Sequence, residues 1–121
     1  MFPVEVYKVL HLAGVMMVFL ALGGVVMHAL GNGSPDHPWR KQAAMTHGIG
    51  LVLMLLGGFG MLARLQISIL SGWVVLKFLI WVVLGGLLFL IIRKPGQSKR
   101  WWGIIILLGI LAAYLANFKP F

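Results

Sequence analysis

The chain contains no cysteine. Disulfides, thiolate metal sites and thiol nucleophiles are therefore excluded. Acids are nearly as scarce: Glu5 and Asp36 are the only two in 121 residues, and both fall near expected helix ends. Chemistry that needs paired carboxylates inside the protein is ruled out. Charge as a whole is thin, at 10% of residues, against about a quarter in soluble domains. The start, from Met1 to Lys8, lacks a basic leader and a small-residue cleavage site, so the first segment reads as a retained helix and not as a signal peptide. No phosphate-binding glycine loop or serine-nucleophile motif is present.

What fills the chain instead is apolar sequence, 61% hydrophobic with a mean hydropathy of +1.02. One compact membrane unit is the natural reading. The formal charge of +8 does not point to nucleic acid, because the basic residues sit in short clusters beside apolar runs, as in cytoplasmic membrane loops. Apolar segments bounded by turn residues predict helices over about 3–30, 39–65, 72–93 and 101–118. Short loops imply antiparallel neighbours. The expected fold class is all-α, an integral membrane antiparallel four-helix bundle in a single transmembrane domain.

Small residues let helices approach closely in lipid. Gly14, Ala21 and Gly24 form such a stripe on the first helix, with His28 on it. Gly50 and Gly58 share a face with His47, Met54 and Met61 on the second. Gly109, Ala112, Ala113 and Ala116 do the same on the fourth. Leu-Gly-Gly recurs at Leu22, Leu56 and Leu84, a weak sign of internal repetition.

The third helix, Gly72 to Ile92, is long enough to span a bilayer, yet it carries Lys77 inside its first end. A charge at a helix centre costs ~2.5–3.5 kcal/mol on insertion scales. Snorkelling to the headgroups is one explanation. Trp73 and Trp81, one turn to either side, offer a cation–π shelter as another. The third is a buried polar site. His11 lies at a depth similar to Lys77, so neighbouring helices can present both to one ligand. His28 and His47 share the other half of the bundle. His37, between prolines in a loop, reads as solvated. Imidazoles facing each other across helices, without cysteine or carboxylate, suit haem iron better than a hard cation. The bland reading is that each histidine simply hydrogen-bonds a neighbouring helix, for perhaps ~1 kcal/mol.

The segments Tyr7-Lys8-Val9-Leu10-His11-Leu12-Ala13-Gly14-Val15, Gly72-Trp73-Val74-Val75-Leu76-Lys77-Phe78-Leu79 and Lys119-Pro120-Phe121 resemble the membrane-embedded HemJ-type protoporphyrinogen oxidases and their small relatives. That resemblance implies a helical membrane bundle binding b-type haem, with function at His11 and Lys77. The chain departs from the family pattern in two places. Gly23-Gly24-Val25 stands where a later first-helix arginine is usual, and Lys99-Arg100-Trp101-Trp102 where an Asn-Glu pair enters the last helix. The resemblance therefore bears on the haem site more than on the oxidase activity.

The resulting expectation is a haem b or porphyrin-binding protein of the bacterial inner membrane with a redox or porphyrin-handling role. His11 is the axial ligand, and Lys77 is either the opposite ligand or the partner of a propionate. His28 and His47 form a secondary cofactor-binding pair. The alternative is a non-catalytic membrane subunit or assembly partner whose His and Lys only join helices. Less favoured is a carrier formed by a homo-oligomer. Arg40, Lys41, Arg93, Lys94, Lys99 and Arg100 lie on one side, and Lys8, Arg64 and Lys119 on the other, which by the positive-inside rule puts both termini outside the cytoplasm. Single cysteines at Ser34 and Ser98 should then resist an impermeant thiol reagent in intact cells; labelling of both from outside would reverse the orientation.

Overall fold

The computed structural model describes residues 2–34 and 36–119. Of the tail that carries part of the resemblance, Pro120 and Phe121 lie outside the described residues. The elements are α1 (Val4–Leu30), α2 (Arg40–Arg64), α3 (Gly72–Arg93) and α4 (Ser98–Phe118), with a short 3₁₀ turn at Pro95–Gln97 leading into α4. No strand occurs among the described residues. Each of the four helices is long and apolar enough to cross a membrane.

Local chemistry sets the ends. Pro3 precedes α1, where its missing N–H costs nothing. Asn32 and Gln66 adopt left-handed backbone, with φ of 59° and 55°. They close α1 and α2 by the same double bond: Gly33 N–H to His28 carbonyl with Asn32 to Ala29, and Ile67 to Leu62 with Gln66 to Ala63. The expected loop before Trp101 is instead mostly helical. Pro95 opens a tight turn, and Ser98, almost wholly buried, donates its hydroxyl to the Pro95 carbonyl at 2.6 Å. α4 thus starts at Ser98. A cysteine at Ser98 would be sheltered for local reasons, and exposed Gln97 is the better topology reporter.

α1 is the hub. It packs against α2 along its length and also meets α3 and α4, while α2 and α4 do not meet. The apolar core comes from α1 (Val18, Leu22, Val25, Val26), α3 (Ile80, Leu84, Leu87, Ile91) and α4 (Ile105, Leu115). α2 contributes only partly buried apolar side chains to it, Leu51 and Met54; its fully buried residues are His47, Gly50 and Gly57. Its attachment is a glycine seam. A Cβ on Gly14 would run into the Gly50 carbonyl and Met54 nitrogen, one on Gly50 into the Gly14 carbonyl, and one on Gly57 into the backbone of Tyr7 and His11. The outward surface stays apolar, with Met16, Leu20 and Leu107 each more than 60% exposed.

The small-residue stripes divide differently from expectation. Gly14 and Ala21 are buried, but Gly24 faces open space. On α2 the intimate contact is at Gly57, whereas a Cβ on Gly58 would make only ordinary contact with the His11 ring. The Leu-Gly-Gly recurrence has no common role: Leu22 and Leu84 are buried and Leu56 is exposed.

Gly57→Leu should therefore destabilise the α1–α2 pair by about 1–3 kcal/mol or more, as overpacking does where backbone blocks relief. Gly24→Leu should be near neutral. Denaturation in detergent micelles, followed by circular dichroism, measures both; equal stability of the two variants would contradict the seam.

Candidate cofactor site

Two cavities bear on function. The larger, about 700 Å³, is walled by the start of α1 (Lys8, His11), the end of α2 (Met54, Gly58, Met61), the start of α3 (Trp73, Lys77, Trp81) and the end of α4 (Ala112, Ala116), with Lys119 at its mouth. Its volume lies within the ~300–1,000 Å³ usual for small-molecule and cofactor sites. His11 and Lys77, expected at one depth, line this one space. Glu5 and Asp36 are not in its wall.

The seam positions His11. Close approach at Gly57 and Gly14 brings α1 onto α2, so that His11 Nδ1–H donates to the Met54 carbonyl at 2.8 Å. A carbonyl only accepts, so this bond fixes the tautomer and leaves Nε2 with its lone pair, on a ring that lines the cavity. Donation of one ring N–H to a backbone carbonyl is the usual second contact of a metal-ligating histidine, holding the ring in place and raising its basicity.

Trp81 works from the opposite wall. Its Nε1–H donates to the Leu51 carbonyl at 3.0 Å, tying α3 to α2, and its ring stacks on Phe78 with centroids 5.5 Å apart. Neither tryptophan provides the cation–π shelter envisaged for Lys77. Trp73 instead receives Lys119, whose Nζ lies 5.6 Å from the ring centroid. Lys119 reaches it because its left-handed backbone, φ 47°, turns the chain back at the end of α4. The alanines of α4 also depart from expectation: on a helix that does not meet α2, Ala112, Ala113 and Ala116 leave room and become cavity wall, though Ala112 also packs against the core.

The secondary pair is not brought together. His47 is buried and its Nε2–H donates to the Leu84 carbonyl at 3.0 Å, joining α2 to α3. His28 Nε2–H donates to the Ser34 carbonyl at 2.7 Å. Its ring lies against His37, with centroids 4.3 Å apart and planes tilted by 45°. His28 and His37 line a second cavity of about 40 Å³ together with Arg40, and His47 lies in the wall of neither cavity. A space that small holds water, not the edge of a macrocycle. His37, read from the sequence as solvated, is half-buried in this contact. No group of three or more His, Cys, Asp or Glu able to hold a bare metal ion occurs among the described residues.

Sequence reasoning missed Lys8, Lys119 and Asn117 as lining residues. Lys8 carried a usable signal, since it sits three residues before His11 and so on the same face. The turn that returns Lys119 to α3 had none. Comparison with protein-family models, with curated proteins and with solved structures gives no match.

His47→Leu removes one interhelical hydrogen bond and should cost about 1 kcal/mol of stability, without changing what the large cavity binds. Loss of ligand from a folded His47→Leu protein would reinstate the secondary pair.

Proposed function

We propose that the chain is an antiparallel four-helix protein of the bacterial inner membrane that binds haem b, or a related porphyrin, in the large cavity. Both termini lie outside the cytoplasm in this reading, as the distribution of Lys and Arg favours. The observation that carries it is His11: its Nδ1 is committed to the Met54 carbonyl, and its Nε2 lone pair remains on the wall of an apolar cavity of about 700 Å³. The donor set fits the group. A neutral imidazole is a common haem ligand, Lys77 lines the same cavity from the facing helix, and aromatic and small side chains provide flat apolar surface.

A bound haem would supply one-electron redox chemistry. The protein's part is to hold the His11 ring in one tautomer, to exclude water with α1, α3 and α4, and to present Lys77 either as a second ligand or as partner of an acid. The HemJ-type resemblance at His11 and Lys77 points the same way, but it leaves the oxidase reaction without the polar groups noted as missing from this chain.

The alternative, a non-catalytic subunit, accounts well for His47, which is spent on a helix–helix bond. It gives no reason for a lysine in the wall of an apolar cavity with no acid beside it.

Protein purified in a neutral detergent from haem-supplemented cells should show a Soret band. His11→Ala should remove or grossly change that spectrum while helix content is retained. Lys77→Met should shift the Soret if lysine ligates, and weaken binding without a shift if it pairs with an acid. A colourless wild-type protein, or an unaltered spectrum in folded His11→Ala, would overturn the assignment.

A further inference from the structure

The cationic groups of the large cavity form two tiers. His11 and Lys77 make the inner one. Lys8 is three residues nearer the start of α1, and Lys119 lies over Trp73, itself one turn nearer the start of α3 than Lys77. The tiers are thus separated by about one helical turn, ~5 Å. Lys8 and Lys119 come from different helix ends, α1 and the close of α4, and both line the cavity while remaining exposed. Trp73 holds the Lys119 ammonium by its ring face, and the left-handed backbone at Lys119 directs it there at some conformational cost.

Three lysines line one largely apolar space with no carboxylate in its wall. Such a set favours an anion over a neutral ligand, and a ligand with an apolar body over a small solvated one. The body has its place against Gly109, Ala112, Ala113 and Ala116 of α4, where the small side chains leave a floor. The acid groups have theirs at the outer tier.

We propose that Lys8 and Lys119 form a carboxylate-recognition site, so that the cavity selects an amphipathic dianion carrying both acids on one edge and orients that edge toward the mouth. For a porphyrin this rests on the function proposed above, and it assigns the two propionates to the outer lysines, leaving Lys77 free at the inner tier.

The test uses the full chain in a neutral detergent, titrated with ferric protoporphyrin IX and with its dimethyl ester, which keeps ring and iron but carries no carboxylates. Wild type should bind the free acid at least about tenfold more tightly than the ester, as a pair of charge-assisted hydrogen bonds implies. The K8Q/K119Q double variant should bring that ratio close to about one by weakening the acid alone, with the Soret position of the bound form unchanged. Both lysines are exposed at the mouth, so the variant should keep its fold, which circular dichroism checks. Equal affinity for acid and ester in wild type, or a ratio untouched by the double variant, would overturn the carboxylate site while leaving haem binding intact. Failure of wild type to bind either form would overturn both.

Discussion

The close approach of α1 and α2 is the constraint on which the rest depends. In lipid no hydrophobic force draws two apolar helices together; association comes from van der Waals packing and interhelical hydrogen bonds. α2 buries no large apolar side chain fully, and beside the packing of Leu51 and Met54 on the core its closest contacts are where Gly14, Gly50 and Gly57 let backbones meet. The His11 bond to the Met54 carbonyl exists only at that separation. Trp81 to Leu51 and His47 to Leu84 then fasten α3 to the same helix through backbone carbonyls. The contacts that hold α2 in place are therefore the ones that fix the tautomer of the candidate ligand.

Drawing α2 onto α1 has a second effect. α4 packs on α1 and α3 but has no α2 beside it, and its facing residues are too small to fill the gap. The resulting space of about 700 Å³ is half open to the surroundings, so solvent, lipid or a ligand can enter it. In a membrane, acyl chains would suit the apolar wall, but they would do nothing for Lys8, Lys77, Lys119 and the second nitrogen of His11. In the reading proposed here, an occupant with an apolar body, acid groups and a Lewis-acid centre would answer all of these at once.

Much of the helix layout was legible because long apolar runs and Pro/Gly/Asn clusters are local signals. The sharing of one cavity by His11 and Lys77 followed from depth alone, since both sit near the same end of their helices. What escaped depended on rotation and contact, which one-dimensional spacing resolves poorly. Gly57 and Gly58 are adjacent, and only the crossing of α1 decides which is crushed against backbone. Ala112 and Ala116 look like a packing stripe until the separation of α2 from α4 is known. His28 was paired with His47 by depth, but the closure at Asn32 folds the loop back and brings Ser34 and His37 to His28 instead. Ser98 read as loop because Pro95 and Gly96 precede it, although proline is at home in a first turn.

Three histidines here do the same first thing: each donates a ring N–H to a backbone carbonyl. Donation alone is therefore not a mark of function, and the distinction lies in the space around the rest of the ring. At His47 the side chain is buried between α2 and α3, outside the wall of either cavity. At His28 the ring is set against His37 over a space of about 40 Å³. Only at His11 does the ring border a space large enough for a cofactor, with a lysine on the facing helix. A histidine that merely joined α1 to α2 would be as well served by a tightly packed surround, since burial strengthens such a bond. Leaving that surround open weakens the structural explanation for His11 and strengthens the one in which its second nitrogen has a ligand to meet.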